Sequence, residues 1–254
     1  MSVKGLLHVV VAATAALLIA GCGSSSPKAS PAGGDSTPSG STSPTATLTS
    51  SPSASATTPA DKAVLETMVL MRADLPASWK ASPYKADPDD AANAAEFSRC
   101  LGERNTDSDQ VAEADSDYYD RGPAEISSSA SSFTSQSDLD VDIATLHSPK
   151  MSSCFQKEIS TVLLGSLPTG SKVDSASFKV VPGSAGFAAN VAGTASGTVL
   201  LTVQGQRATI YLTSVFITGP LIESEIDFTN LGAPLPSSLT TPLIEKIATR
   251  TAAG

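Results

Sequence analysis

Histidine is almost missing from this chain. There are 2 in 254 residues, His8 in an amino-terminal apolar run and His147 beside Ser148-Pro149. A Ser-His-Asp hydrolase needs a positioned imidazole base. A lone histidine next to a helix-breaking proline reads instead as a helix C-terminal cap or a surface residue. Cysteine is scarce as well, and 3 copies give too few soft donors for a metal cluster. Basic residues are outnumbered, 16 Lys+Arg against 25 Asp+Glu for a net charge of −9. With no basic stripe to neutralise phosphates, nucleic acid is not an expected partner. No G-x-S-x-G elbow occurs, and Gly183-Ser184-Ala185-Gly186 has the wrong spacing. Ser82-Pro83-Tyr84-Lys85 matches S-x-x-K in form only, because Pro83 spoils the turn that would carry Lys85 to Ser82. A Gly-rich phosphate loop followed by Lys-Ser/Thr is absent too.

What is present begins with an address. Lys4 supplies positive charge, and Gly5–Ala20 follow as an uncharged, mostly apolar run. That run is shorter than the roughly 20 residues a spanning helix needs, and it ends in small residues rather than a basic flank. It reads as a secretory signal peptide over residues 1–21. Its last residues, Ile19-Ala20-Gly21-Cys22, resemble the bacterial lipobox: a branched apolar residue, two small ones, then cysteine. The resemblance implies that the Cys22 thiol receives a diacylglyceryl group and that a peptidase cuts just before it. The membrane would then be a partner through this covalent lipid, at the outer face of the cytoplasmic membrane. Two or more acyl chains hold stably where one is marginal. No other cofactor is expected.

Residues 22–60 form the lipidated cysteine and a tether. All but Lys28, Asp35 and Leu48 of residues 23–60 are Gly, Ser, Pro, Ala or Thr. Such a segment buries too little apolar surface to offset its ordering entropy, so it is expected to be disordered. As a flexible chain it would span roughly 35 Å and hold a domain off the membrane. Its Ser/Thr-Pro composition resembles the O-glycosylated stalks of actinobacterial surface lipoproteins.

Residues 61–254 are expected to form one extracytoplasmic domain, a length that supports a single core. Apolar spacing predicts helices over Asp61–Arg72, Asp89–Leu101 (closed by Gly102), Ser137–Leu146, Lys150–Leu164 and Thr241–Thr249. Residues 103–121 are acidic and read as loop. Strands are predicted over Ala124–Thr134, Ser177–Val181, Gly186–Ala192, Thr198–Gln204 and Arg207–Thr218, the last two joined by a tight turn at Gly205-Gln206. Helices first and a meander later point to an α+β fold: an antiparallel sheet with helices packed mainly on one face.

With Cys22 consumed by lipid, Cys100 and Cys154 remain, and an even pair in an exported protein usually bridges. Such a bond would pin two helices and contribute roughly 4 kcal/mol in the chain-entropy model. A redox-active pair would need the close C-x-x-C spacing that this sequence lacks. Carboxylates crowd residues 87–120, but neither Asp107-x-Asp109 nor Asp115-x-Asp117 continues into an EF-hand pattern. Asp138, Asp140 and Asp142 lack its glycine and sit where acids favour a helix amino terminus. A solvated acidic face is the expectation, with no metal site and no catalytic residue singled out. Tyr118-Tyr119 could be an exposed recognition spot or could pack back onto the domain. Trp79, Phe178, Phe187 and Phe216 read as core.

Asp74-Leu75-Pro76 followed by Trp79 is similar to the D-L-P-x-G-W opening of many actinobacterial lipoproteins, with Ser78 in place of the glycine. The helix-borne Cys100 and Cys154, with strands and a final helix after them, resemble sensor-like domains displayed outside mycobacterial membranes, including those of receptor kinases. The PsbP-like lipoproteins are another family of similar layout. These resemblances imply a non-catalytic binding or sensor module for a small ligand or an envelope protein. The alternatives are an envelope-acting hydrolase using carboxylates and a structural accessory subunit of an envelope complex. Buried paired acids in a cleft would favour the enzyme, an acid-free apolar pocket a small ligand, and a flat apolar patch a protein partner.

Overall fold

The computed structural model describes residues 58–254 apart from Asp87 and Ala185. The expected signal peptide, Cys22 and the tether as far as residue 57 lie outside the described residues. In chain order the regular elements begin with α1 (Lys62–Leu65), β1 (Lys80–Ser82), α2 (Asp90–Leu101), β2 (Gln110–Asp115), β3 (Tyr118–Arg121) and β4 (Ala124–Phe133). They continue with α3 (Gln136–Ala144), α4 (Met151–Ser166), β5 (Lys172–Pro182), β6 (Val191–Val203), β7 (Gln206–Gly219), β8 (Ile222–Leu231) and α5 (Ser237–Ala253).

All strands join one antiparallel sheet in the order β1-β3-β4-β8-β7-β6-β5, with β2 also paired to β4. On one edge of β4, β3 takes the first residues and β2 the last, from Tyr119↔Ile126 to Gln110↔Phe133. The other edge of β4 pairs with β8 along nearly its whole length. Strands β5–β8 form the expected carboxy-terminal meander, and the fold class is α+β as the sequence indicates.

Alternation along β7 sorts the core into two layers. Ile210, Leu212 and Phe216 face α2 and α4, packing with Phe97, Phe155 and Ile159. Val215 and Ile217 face the opposite way, against Leu243, Ile244 and Ile247 of α5. Helices α2–α4 therefore gather on one side of the sheet, and α5 lies on the other. Cys100 and Cys154 are disulfide-bonded with Cα atoms 5.7 Å apart, tying α2 to α4. Gly102 ends α2 at φ 77°, a left-handed cap glycine adopts without a Cβ clash.

Asp74, the acid of the D-L-P segment, fastens the stretch before β1 to α5. Arg250 of α5 donates to both its oxygens, at 2.8 and 2.7 Å, the Met71 N–H donates at 2.9 Å, and Lys246 lies 3.2 Å away. Burial works to raise this carboxyl, but Arg250, the Met71 N–H and Lys246 outweigh it and hold it below the ordinary range.

Several local expectations are corrected. Only Lys62–Leu65 of the first predicted helix is helical. Met68, Val69 and Leu70 beyond it are buried as an irregular segment instead. The acidic stretch 103–121 carries β2 and β3 rather than loop alone. Residues 186–190 lie outside a strand, and β6 starts at Val191. The hairpin turn is Gln204-Gly205, both at positive φ (51° and 81°), which matches a two-residue primed turn one position earlier than expected. β8, unassigned from sequence, proves to be central.

Candidate functional site

The α5 face of the sheet carries the main cleft. Cross-strand register sets Ser177, Thr198, Tyr211 and Asn230 in one row across β5–β8, and Lys179, Ser196, Thr213 and Phe228 in the next. Near β8 this floor is roofed by α5 and the segment before it. There a cleft of about 220 Å³ is lined by Phe187, Tyr211, Thr213, Asn230, Leu235 and Ile244 among others. A more open groove of about 370 Å³ continues over β5–β7 and shares Ser196, Tyr211, Thr213 and Pro234 with it. Among the described residues no acid and no histidine lines either part, and Lys179 is the sole charged contributor. Asn230 donates through Nδ2 to the Ala233 carbonyl at 2.8 Å, while its buried Oδ1 has no partner. The walls thus offer aromatic and aliphatic surface, hydroxyls at every second strand position, and one unused acceptor. That mixture suits a small uncharged amphipathic molecule.

The opposite face of β4 and β8 is of another kind. Register places Glu125 across from Thr229, Ser127 across from Asp227, Ser129 across from Glu225 and Ser131 across from Glu223, all of them buried. Ser214 of β7 donates from its hydroxyl to Asp227. Burial pushes Asp227 up to about 6, against the pull of the Ser214 and Glu225 hydrogen bonds. Burial also lifts Glu225 well above the carboxylate range, with Asp227 and Glu223 adding like charge. Glu125 is pushed up to about 8 by burial and then by Asp120. Here carboxyls hydrogen-bond one another, and among the described residues no lysine or arginine forms a salt bridge with them. Among the described residues no group of three or more His, Cys, Asp or Glu side chains is arranged to hold a metal ion.

The residues considered from sequence fall mostly elsewhere. Cys22 lies outside the described residues, and Cys100 and Cys154 form the bridge between helices. Ser82 donates to Asp120 at 3.4 Å, and His147 is exposed at the end of a short 3-10 turn. Tyr119 packs into the core with its hydroxyl 3.4 Å from the Leu70 carbonyl, and Tyr118 stacks against Tyr84 with ring centroids 5.8 Å apart, so both rings fold back. Trp79 and Phe216 are core, whereas Phe187, expected there too, lines the cleft. Sequence reasoning missed Tyr211, Asn230, Glu125 and the acids of β8. The signal was available: Glu223, Glu225 and Asp227 recur at period two, alternating with Ile222, Ser224, Ile226 and Phe228, which places all three on one strand face.

The fold and cleft define an α+β domain with one broad antiparallel sheet and a ligand-sized recess on its less covered face. No protein-family model matches the chain, and no curated protein matches it either. Among solved structures it is similar to the extracellular domain of PknH from Mycobacterium tuberculosis, at 8% identity over 78% of this chain and 99% of that one, with a TM-score of 0.44.

Proposed function

We propose that this chain is a lipid-anchored extracytoplasmic binding or sensor module, non-catalytic, whose cleft between α5 and the sheet takes a small uncharged amphipathic ligand. The observation that carries the reading is the cleft itself: enclosed by Phe187, Leu235 and Ile244, floored by hydroxyls, free of acids, and holding the unpartnered Asn230 Oδ1. Supporting the location are the apolar run ending in Ile19-Ala20-Gly21-Cys22 and a Cys100–Cys154 bridge that suits an oxidising compartment. The anchor would be the lipid on Cys22, and the membrane the fixed partner. A hydrolase built on the buried acids of the other face meets a geometric obstacle. There Glu225 and Asp227 hydrogen-bond each other directly, whereas glycosidase carboxyls stand about 5–9.5 Å apart around the scissile bond.

Native mass spectrometry of the full chain, released from its envelope in detergent without reduction, tests this reading. The expected result is a reproducible added mass of a neutral small molecule that is lost on denaturation. A Thr213→Trp variant, which fills the cleft, should carry none. An unchanged adduct on that variant, or a chain that emerges unliganded, would overturn the assignment.

A further inference from the structure

We infer that the ligand of the cleft is a short neutral oligosaccharide, laid across β8, β7, β6 and β5 with one end under α5 and the other on the open groove at the sheet edge. The inference rests on the cleft being a ligand site and adds the class and direction of the ligand. The enclosed cleft, about 220 Å³, falls below the roughly 300–1,000 Å³ usual for a small-molecule site, whereas the adjoining groove of about 370 Å³ lies within that range. The two share Ser196, Tyr211, Thr213 and Pro234, so one molecule can run through both. Four strands spaced about 4.8 Å apart give a path of about 14 Å, longer than a single sugar ring. β5 is the last strand of the sheet, and its Ser177 and Lys179 are exposed, so the path runs out to solvent at that end.

The floor selects the chemistry. Ser177, Thr198 and Tyr211 stand in one row and Lys179, Ser196 and Thr213 in the next. All six are exposed or half-buried, so a ligand reaches them without rearranging the fold. The Ser177 and Thr198 hydroxyls bond each other at 3.0 Å, and among the described residues those of Ser196, Tyr211 and Thr213 have no protein partner. Each hydroxyl both donates and accepts and rotates to suit, which is the kind of group a sugar carries on its rim. Phe187, Pro234 and Leu235 supply apolar surface for the C–H face of a ring. An acyl chain laid here would strip water from the hydroxyls and return no hydrogen bond. Among the described residues a cation finds no acid in either part, and a multiply charged anion finds Lys179 alone. With its three N–H donors, Lys179 serves a neutral sugar at its hydroxyl oxygens.

The test titrates the full chain, followed by NMR, with maltotriose, cellotriose and mannotriose. Glucose and mannose serve as single-ring probes, trigalacturonate as the anionic match and 1-butanol as the apolar one. At least one neutral trisaccharide should bind saturably and at least tenfold tighter than its monosaccharide. Lys179→Met and Ser196→Val should each weaken it several-fold, and Thr213→Trp should abolish it. Lys179 is exposed on the edge strand, so Lys179→Met should leave the melting temperature unchanged, which separates a lost contact from a lost fold. A monosaccharide bound as tightly as the trisaccharide would overturn the inference, as would tighter binding of trigalacturonate, equal binding of 1-butanol, or no response to any sugar. In each of those cases a neutral adduct that is not a sugar, seen by native mass spectrometry, would leave the cleft reading standing alone. A chain that carries no adduct and answers no sugar would overturn both.

Discussion

The two faces of β8 are equally buried and chemically opposite. Toward α5 the strand presents Ile226 and Phe228, seated against Val215, Ile217 and the α5 residues Leu243 and Ile247. Beside them are Ser224, which accepts from Thr251 of α5, and Ile222, which packs with Leu65 and Met68. Toward the other side it presents Glu223, Glu225, Asp227 and Thr229 beside the serines of β4. Burying an apolar side chain stabilises by about 1.5–3 kcal/mol, while burying an acid away from cations costs free energy. One face thus holds the strand in place and the other is carried at a loss. The fold tolerates that loss because the first face is well packed.

The largest expected effect comes from exchanging residues one position apart. Ile226→Ala empties a fully buried site on the apolar face and should cost about 2–5 kcal/mol. Glu225→Gln, on the other face, keeps a hydrogen bond to Asp227 and removes an acid. It should leave stability unchanged or raise it by about 1 kcal/mol. Urea unfolding of the two variants measures both, and equal losses would break the contrast between the faces.

Next in size is the response to pH. Burial sets Glu125 near 8 and Asp227 near 6, and holds Glu225 well above the carboxylate range. In the unfolded chain these groups ionise near their ordinary values, about 4. Between the two the native state binds more protons than the unfolded one, so stability falls as pH rises from about 4 toward 8, by on the order of a few kcal/mol. Asp74 has the opposite sign. Held low by Arg250, the Met71 N–H and Lys246 against the effect of burial, its contribution is present above the ordinary carboxylate range and lost as pH falls through its lowered value. A melting temperature highest in mildly acidic buffer is expected, and Glu125→Gln should flatten the alkaline side. A flat wild-type profile from pH 5 to 8 would mean that the acid face is ionised and solvated.

The same contrast explains what the sequence discloses. Helix α2 is legible because acids precede it, alanines fill it and Gly102 stops it, all signals within a dozen residues. The β6–β7 hairpin is legible because hydroxyls and apolar residues alternate on both arms. Strand β8 escapes notice because its buried face carries acids, and hydrophobic periodicity has nothing to detect there. Strands β2 and β3 escape for the same reason, being acidic segments whose strand character comes from pairing with β4. The Asp74–Arg250 pair spans 176 positions, a separation no local pattern can reveal. The cleft is partly visible in the alternate hydroxyls of Thr194, Ser196 and Thr198. That Phe187 and α5 would close over them depends on how the chain returns after β8.

The smallest expected effect sharpens the contrast at the level of one hydroxyl on each face. Tyr211→Phe removes a hydroxyl from the half-exposed floor of the cleft, which is open to solvent, so stability should change by less than about 0.5 kcal/mol. Ser127→Ala removes a buried hydroxyl that has no partner, and relieving that unmet desolvation should stabilise the free protein by about 1 kcal/mol. The two deletions also part in what they do to binding. Tyr211→Phe should weaken retention of the neutral adduct several-fold, and Ser127→Ala should spare it. Parallel melting curves and adduct masses for both variants read out these differences. Loss of the adduct in the Ser127→Ala variant would mean that β8 transmits strain from one face to the other.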